Sequence, residues 1–160
     1  MANIRYVHTN IVARNWNQLA RFYVRALGCK RSPPARNLRG AWLDKATSLK
    51  DAHITGIHLR LPGFNLHGPT LEIFQYSQEK RLVAAGINRP GFAHIAFSVK
   101  DVAKALRKVE RLGGRRVGQP VSAVIKGVGP IDFVYARDPE GNIIELQKRR
   151  LKQRDRPRLG

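Results

Sequence analysis

Two distant stretches of this chain are similar to each other, and each carries one histidine and one glutamate at matching positions. The first stretch contains His8 and Glu72, and the second contains His94 and Glu145. In both, the glutamate lies four residues after a glycine, and the histidine lies 20 or 19 residues before another glycine. A divalent metal ion takes nitrogen and oxygen ligands that converge from different strands, and a duplicated unit can supply them symmetrically.

The length of the chain fits one duplicated domain. With 160 residues, it suits a single domain at 1–150, built from modules at about 4–77 and 90–149 and followed by a basic tail at 151–160. The hydrophobic content is 42%, and no apolar run approaches the roughly 18 residues of a membrane span. The N-terminal segment lacks the apolar core of a secretory signal, so we expect a soluble, cytoplasmic protein without a membrane span.

The formal net charge is +19, and part of it is concentrated at the C-terminus. Residues 148–160 contain seven lysines and arginines and one acid, Asp155. Such a segment can bind polyanions non-specifically. No aromatic residues are interleaved with these charges, as single-strand nucleic-acid binders require, so we interpret the tail as a solvated terminus and do not expect a nucleic-acid partner.

The same order of elements is predicted twice. A strand at 6–12 precedes a helix with Asn15 at its N-cap and Gly28 at its end, and the second copy has Asp101 and Gly113 in those places. Residues 30–39 are interpreted as a loop that continues into a short strand near 41–44. The other strands are predicted near 54–61, 70–76, 92–99, 121–125, 131–136 and 142–147, and residues 78–89 link the halves. The predicted fold is α+β, with two tandem βαβββ modules forming a curved, cleft-lining mixed sheet and the helices outside.

Strand alternation assigns the polar side chains to the face away from the helix. His94, Glu72 and Glu145 share that face in their strands. A glutamate among isoleucine and leucine is costly to bury without a partner, and a metal would explain two such glutamates at once. The other histidines (His53, His58 and His67) have no repeat partner and are interpreted as surface or loop residues, although alternation turns His58 and Arg60 towards the cleft. Arg60 could meet a carboxylate or phosphate, and Phe74, beside Glu72, is the second candidate for contact with substrate.

These motifs together resemble the vicinal oxygen chelate superfamily, which includes glyoxalase I, methylmalonyl-CoA epimerase, extradiol dioxygenases and bleomycin-resistance-type binding proteins. The resemblance covers nearly everything from residue 4 to 149 and is carried by the segments 8–28, 70–73, 92–97 and 138–146. In that superfamily the metal ligands lie on the first and last strand of each module. The resemblance therefore implies His8, Glu72, His94 and Glu145 as the ligand set.

Retention of four competent ligands favours an enzyme of the glyoxalase I and epimerase branch. The resemblance implies a divalent-metal-dependent lyase or isomerase that abstracts a proton α to a carbonyl, with Glu145 or Glu72 as the base and the metal stabilising the enediolate. The N₂O₂ set suits Zn, Ni, Co or Mn equally. The expected substrate is an α-oxo or acyl-thioester compound, and exposed strand edges predict a homodimer. The alternatives are a small-molecule-binding protein of the bleomycin-resistance type and an extradiol dioxygenase, which would use Fe.

Overall fold

The computed structural model of the chain describes residues 4–78 and 86–150. These residues form two compact units, one on each side of the gap. Most of the predicted linker at 78–89 and the whole basic tail at 151–160 lie outside the described residues. The boundaries of the single predicted domain stay a prediction, as does the placement of both sheets around one cleft.

The first unit is a four-stranded sheet with two helices. Its strands follow the order β1-β4-β3-β2, with β1 parallel to β4 and the other neighbours antiparallel. The elements are β1 (His8–Val12), α1 (Trp16–Leu27), β2 (Lys30–Arg39), α2 (Ala41–Thr47), β3 (His53–Arg60) and β4 (Thr70–Tyr76).

The second unit repeats this topology with five strands and one helix. The path is β5-β9-β8-β6, with β7 paired to β8 and β5 parallel to β9. The elements are β5 (His94–Ser98), α3 (Val102–Arg111), β6 (Arg115–Arg116), β7 (Val121–Ile125), β8 (Gly129–Arg137) and β9 (Ile143–Arg149). In both units the first strand is the parallel neighbour of the last strand, and the predicted α+β class is confirmed.

The long helices begin and end as their sequences predict. The Asn15 side chain accepts a hydrogen bond from the Gln18 backbone N–H at 3.0 Å, which satisfies an otherwise unpaired donor at the start of α1. Gly28 ends α1 in the left-handed conformation, with φ of 76°. Asp101 caps α3 in the same way, accepting from Lys104 N–H at 2.8 Å. Of the described helices, none is both long and apolar enough to cross a membrane.

Each long helix covers one face of its sheet with apolar side chains. The face that α1 buries consists of Leu19, Ala20, Phe22, Tyr23 and Ala26. It packs on β3 and β4, whose inward residues Leu59, Leu71 and Ile73 are almost fully buried. Burial of such a side chain contributes about 1.5–3 kcal/mol. The helix therefore fixes one face of the sheet as core and leaves the opposite face for polar side chains.

The segment after α1 differs from the prediction. Residues 30–39 form strand β2, not a loop, and residues 41–47 form helix α2, not a strand. Two prolines are tolerated in β2 because it is an edge strand, with a register shift between Ser32 and Arg36. In α2, a single apolar side chain, Leu43, packs on Ala52 and Ile54. Seven residues are too few to show helical periodicity, and tertiary packing decides their conformation.

Gly56 on β3 allows the close approach of β4. A Cβ atom at this position would lie 2.2 Å from the Ile73 carbonyl oxygen and 2.9 Å from the Phe74 Cα, so the backbone of β4 would have to move. We expect Gly56→Ala to lower the free energy of unfolding by about 1–3 kcal/mol or more, as overpacking does. Urea unfolding followed by circular dichroism measures the change. Gly118→Ala is the control, because a Cβ there meets nothing within 4 Å; equal stability of the two variants would contradict the expectation.

Candidate functional site

In the first unit, two neighbouring parallel strands bring His8 and Glu72 together. His8 on β1 pairs in register with Thr70 on β4, and Glu72 lies two residues further along β4 on the same face. The His8 Nε2 atom lies 3.2 Å from Glu72 Oε2. Glu72 is only 8% exposed, one of two buried acids among the described residues. The burial explains why this carboxylate needs nitrogen partners.

A second imidazole, that of His58, contacts the other oxygen of the same carboxylate. His58 on β3 pairs directly with Glu72, and its Nε2 lies 2.8 Å from Glu72 Oε1. Asn10 Nδ2 donates to Glu72 Oε2 at 3.2 Å. The interpretation of His58 as a surface or loop residue is wrong, although its expected orientation towards the polar face is consistent with this contact. The alternation of Ile57, His58 and Leu59 in the sequence indicated that the His58 side chain lies on the polar face of β3.

The surroundings of His58 favour a neutral imidazole. Burial lowers the pKa of His58; the Glu72 carboxylate opposes this shift, and the neighbouring Arg36 and His8 add to it. A carboxylate only accepts, so Nε2 carries the proton, and Nδ1, 3.1 Å from Thr70 Oγ1, accepts from that hydroxyl. The hydrogen bonds from Thr70 to His58 and from His58 to Glu72 therefore fix the orientation of the carboxylate.

The second unit contains the equivalent pair with a different third side chain. His94 Nε2 lies 3.0 Å from Glu145 Oε2, with the same two-residue offset between β5 and β9. Tyr135 on β8 pairs directly with Glu145, and its ring centroid lies 5.2 Å from that of His94. Burial raises the pKa of Tyr135, and the negative charge of Glu145 adds to the shift. Tyr135 thus stands where the first unit has His58.

The spacing inside each pair is compatible with shared metal coordination. Two ligand atoms that each lie about 2.0–2.2 Å from one ion are about 3–3.5 Å apart, and the two Nε2–Oε2 separations fall in this range. Within residues 4–78 and 86–150, no group of three or more histidine, cysteine, aspartate and glutamate side chains is arranged to hold a metal. Each unit supplies two of the four predicted ligands, and the complete set stays a prediction.

The two predicted substrate contacts lie on the face that carries Glu72. The Phe74 ring centroid is 5.9 Å from that of His58. Phe74 also packs against the cluster of Leu43, Ala52 and Ile54, so part of its role is structural. Arg60 follows His58 by two residues on β3. Its Nε atom is buried and has no hydrogen-bond partner in the described part of the chain. Contact of either residue with substrate stays a prediction.

Comparison with known families identifies the fold. The model of the Glyoxalase/Bleomycin resistance protein/Dioxygenase superfamily matches residues 5–146. The chain belongs to this superfamily. The name covers enzymes as well as resistance proteins, so membership leaves open whether a member is an enzyme. No curated protein is significantly similar in sequence.

Solved structures of superfamily members show the same fold at low identity. A glyoxalase family protein from Bacillus cereus has a TM-score of 0.71 at 17% identity, covering 92% of this chain and 94% of that chain. A glyoxalase family protein from Enterococcus faecalis has a TM-score of 0.56 at 20% identity, covering 91% and 97%. A glyoxalase I mutant from Zea mays has a TM-score of 0.61 at 22% identity, covering 91% of this chain but 45% of that one.

Cys29 does not belong to the site of this superfamily member. It lies directly after α1, is 2% exposed, and burial raises the pKa of its thiol to about 12. The thiolate is the reactive form, so the folded protein should react slowly with iodoacetamide, and raising the pH from 7 to 9 should change little. Unfolding lowers the pKa towards 9 and should make the thiol reactive at pH 9. Mass spectrometry of alkylated protein with and without urea measures this; rapid alkylation of the folded chain would contradict it.

Proposed function

We propose that this protein is a divalent-metal-dependent lyase or isomerase of the glyoxalase I and methylmalonyl-CoA epimerase type, which abstracts a proton α to a carbonyl. The observation that carries the proposal is the recurrence of one contact. A histidine on the first strand meets a glutamate on the last strand in both units, with Nε2–Oε2 separations of 3.2 and 3.0 Å. One such contact is a common structural hydrogen bond, whereas two at equivalent positions favour a shared purpose.

The donor set supports a metal-dependent reaction. His8, Glu72, His94 and Glu145 would hold one divalent ion, and two imidazole nitrogens with two carboxylates suit Zn, Ni, Co or Mn. When bound, the ion would supply Lewis acidity that stabilises negative charge on two vicinal oxygens of the substrate. The proposed enzyme acts in the cytoplasm, as a homodimer, on an α-oxo or acyl-thioester compound.

The hydrogen bonds around the two glutamates favour Glu145 as the base. Glu72 is held by His8, His58 and Asn10, so its side chain would have to give up three contacts before it could move towards a substrate. Glu145 has one ionic partner among the described residues, His94. With fewer contacts to break, Glu145 is the carboxylate that can reach a carbon acid and hold its proton. In an epimerisation, Glu72 would be the second proton carrier.

Metal binding is the first test of the proposal. We expect the purified protein, stripped of metal, to bind about one Co(II) per chain in a spectroscopic titration. His94→Ala removes a ligand and should abolish this binding. His58→Ala should weaken it about 10–100-fold, because His58 orients the Glu72 carboxylate and partners of this kind contribute that much to metal affinity.

His53→Ala is the matched control for the metal titration. His53 lies on the same strand as His58, but its Nε2 contacts Asn37 Oδ1 at 2.7 Å and not Glu72. Its metal affinity should equal that of the unmodified protein. A protein that binds none of the four divalent ions would overturn the proposed function, and bound iron with cleavage of catechols would favour the dioxygenase.

Proton abstraction is tested with Glu145→Gln. The amide preserves the size and an oxygen donor but cannot accept the proton, so exchange should fall about 10²–10⁴-fold. The measurement is loss of the α-proton signal in D₂O by NMR, over a panel of hemithioacetals of α-oxo aldehydes and of acyl thioesters. Glu110→Gln on α3 is the control, since the one ion pair of the Glu110 side chain in the described residues is with Arg116. Unchanged exchange in Glu145→Gln would remove this residue from the mechanism.

A further inference from the structure

A cavity of about 470 Å³ lies beside the end of β3, in the first unit. Its charged lining comes from Lys30 at the start of β2 and Arg60 at the end of β3, and the rest comes from Gly28 and the loop after β3. That loop contributes Leu61, Phe64 and Leu66. Phe64 and Leu66 are 57% and 72% exposed, so they present apolar surface that a ligand could cover. The cavity therefore combines a cationic part with an apolar wall.

The two cations of this cavity lie next to each other. Lys30 and Arg60 are directly paired across β2 and β3, so their Cβ atoms are about 4.5–5.5 Å apart on one face of the sheet. Like charges in this arrangement repel each other. Among the residues that line the cavity, all of which the structure describes, there is no acid to offset them. An anion placed between the two side chains would remove this repulsion.

The Arg60 guanidinium also leaves one donor unused. Its Nε atom is buried and has no hydrogen-bond partner in residues 4–78 and 86–150. A buried donor without a partner destabilises the fold, and more so when its group is charged. Arginine presents its N–H groups in a fork that matches the oxygens of a carboxylate or phosphate. The unused donor and the neighbouring lysine both indicate an oxyanion.

Arg60 connects this cavity to the candidate metal site. It lies on the same face of β3 as His58 and two residues away, so the two Cα atoms are about 7 Å apart. Arg60 also pairs in register with Thr70, the residue whose hydroxyl contacts His58. A molecule that binds between Lys30 and Arg60 would therefore lie one strand and two residues away from Glu72.

We infer that Lys30 and Arg60 form a subsite for an oxyanion, and that the substrate is a small carbonyl compound carrying a carboxylate or phosphate joined to an apolar portion that lies against Phe64 and Leu66. The identification of this anion as part of the substrate rests on the proposed function. The anion site itself does not, because it needs no metal and no turnover.

Calorimetric binding of three probes to the full chain tests the subsite. The three probes share a phenyl ring. Phenyl phosphate carries a phosphate, phenylacetate carries a carboxylate, and benzyl alcohol carries an uncharged hydroxyl. We expect either anion to bind at least 10-fold more tightly than the alcohol, and the comparison between the two anions identifies which oxyanion is preferred. Arg60→Gln should raise the dissociation constant of the preferred anion at least 10-fold, and Lys30→Gln, at an exposed position, about 3-fold.

Arg21→Gln is the matched control. Arg21 is exposed on α1 and does not line the cavity, and this variant loses the same single charge. Its affinity for both anions should stay within about 2-fold of the unmodified protein, because distant surface charges are screened. Equal weakening in Arg21→Gln and Arg60→Gln would show only a general effect of net charge and would overturn the subsite. If Arg60→Gln does not fold, Lys30→Gln still tests the subsite, because Lys30 is exposed and its replacement should leave the fold intact.

The kinetic experiment separates this inference from the proposed function. In proton-exchange assays, Arg60→Gln should raise KM for an anionic carbonyl compound about 10-fold and leave KM for its neutral ester unchanged. Anion binding without metal binding or exchange would overturn the proposed function and support the subsite. Metal-dependent exchange that is equally efficient for acid and ester, and insensitive to Arg60→Gln, would overturn the subsite alone.

Discussion

The candidate site depends on the contact between a histidine on the first strand of a unit and a glutamate on the last. Burying a carboxylate costs several kcal/mol unless nitrogen partners offset the loss of water. The histidine of the first strand is within reach because the last strand returns parallel to the first, with the glutamate two residues beyond the residue that pairs with the histidine. The candidate site therefore requires that β1 lies beside β4 and that β5 lies beside β9. The helices bury the opposite face of each sheet.

The two units agree in this contact and differ in the strand beside it. At the position directly paired with the glutamate, the first unit has His58 and the second has Tyr135. The imidazole of His58 binds the Glu72 carboxylate at 2.8 Å, whereas the described contacts of Tyr135 are with the rings of His94 and Phe133. A duplicated scaffold thus provides one firmly held carboxylate and one with fewer constraints. The carboxylate with fewer contacts is the one that can change its position at a smaller cost in lost hydrogen bonds.

The sequence predicted the parts of the structure that are determined locally. Helix caps at Asn15 and Asp101 and the apolar spacing of both helices act within a few residues, and the repeat itself indicated the His/Glu pairs. The role of His58 was missed because it depends on the register of β3 against β4, and because the second copy has Tyr135 in its place. Strand β2 and helix α2 were missed for a related reason, since an edge position and one buried side chain, Leu43, determine them.

The net charge of the chain alone does not indicate which anions the protein binds specifically. A net charge of +19 predicts only a general attraction for anions, since exposed charges are screened within about 10 Å at 0.1 M salt. Among the arginines that the structure describes, Arg60 is distinguished by a buried Nε atom without a hydrogen-bond partner in those residues. Desolvation strengthens the interaction of such a group with an oxyanion, because less water competes for it. Specific recognition is thus carried by the few cations that the fold removes from water, and β3 places one of them two residues from His58.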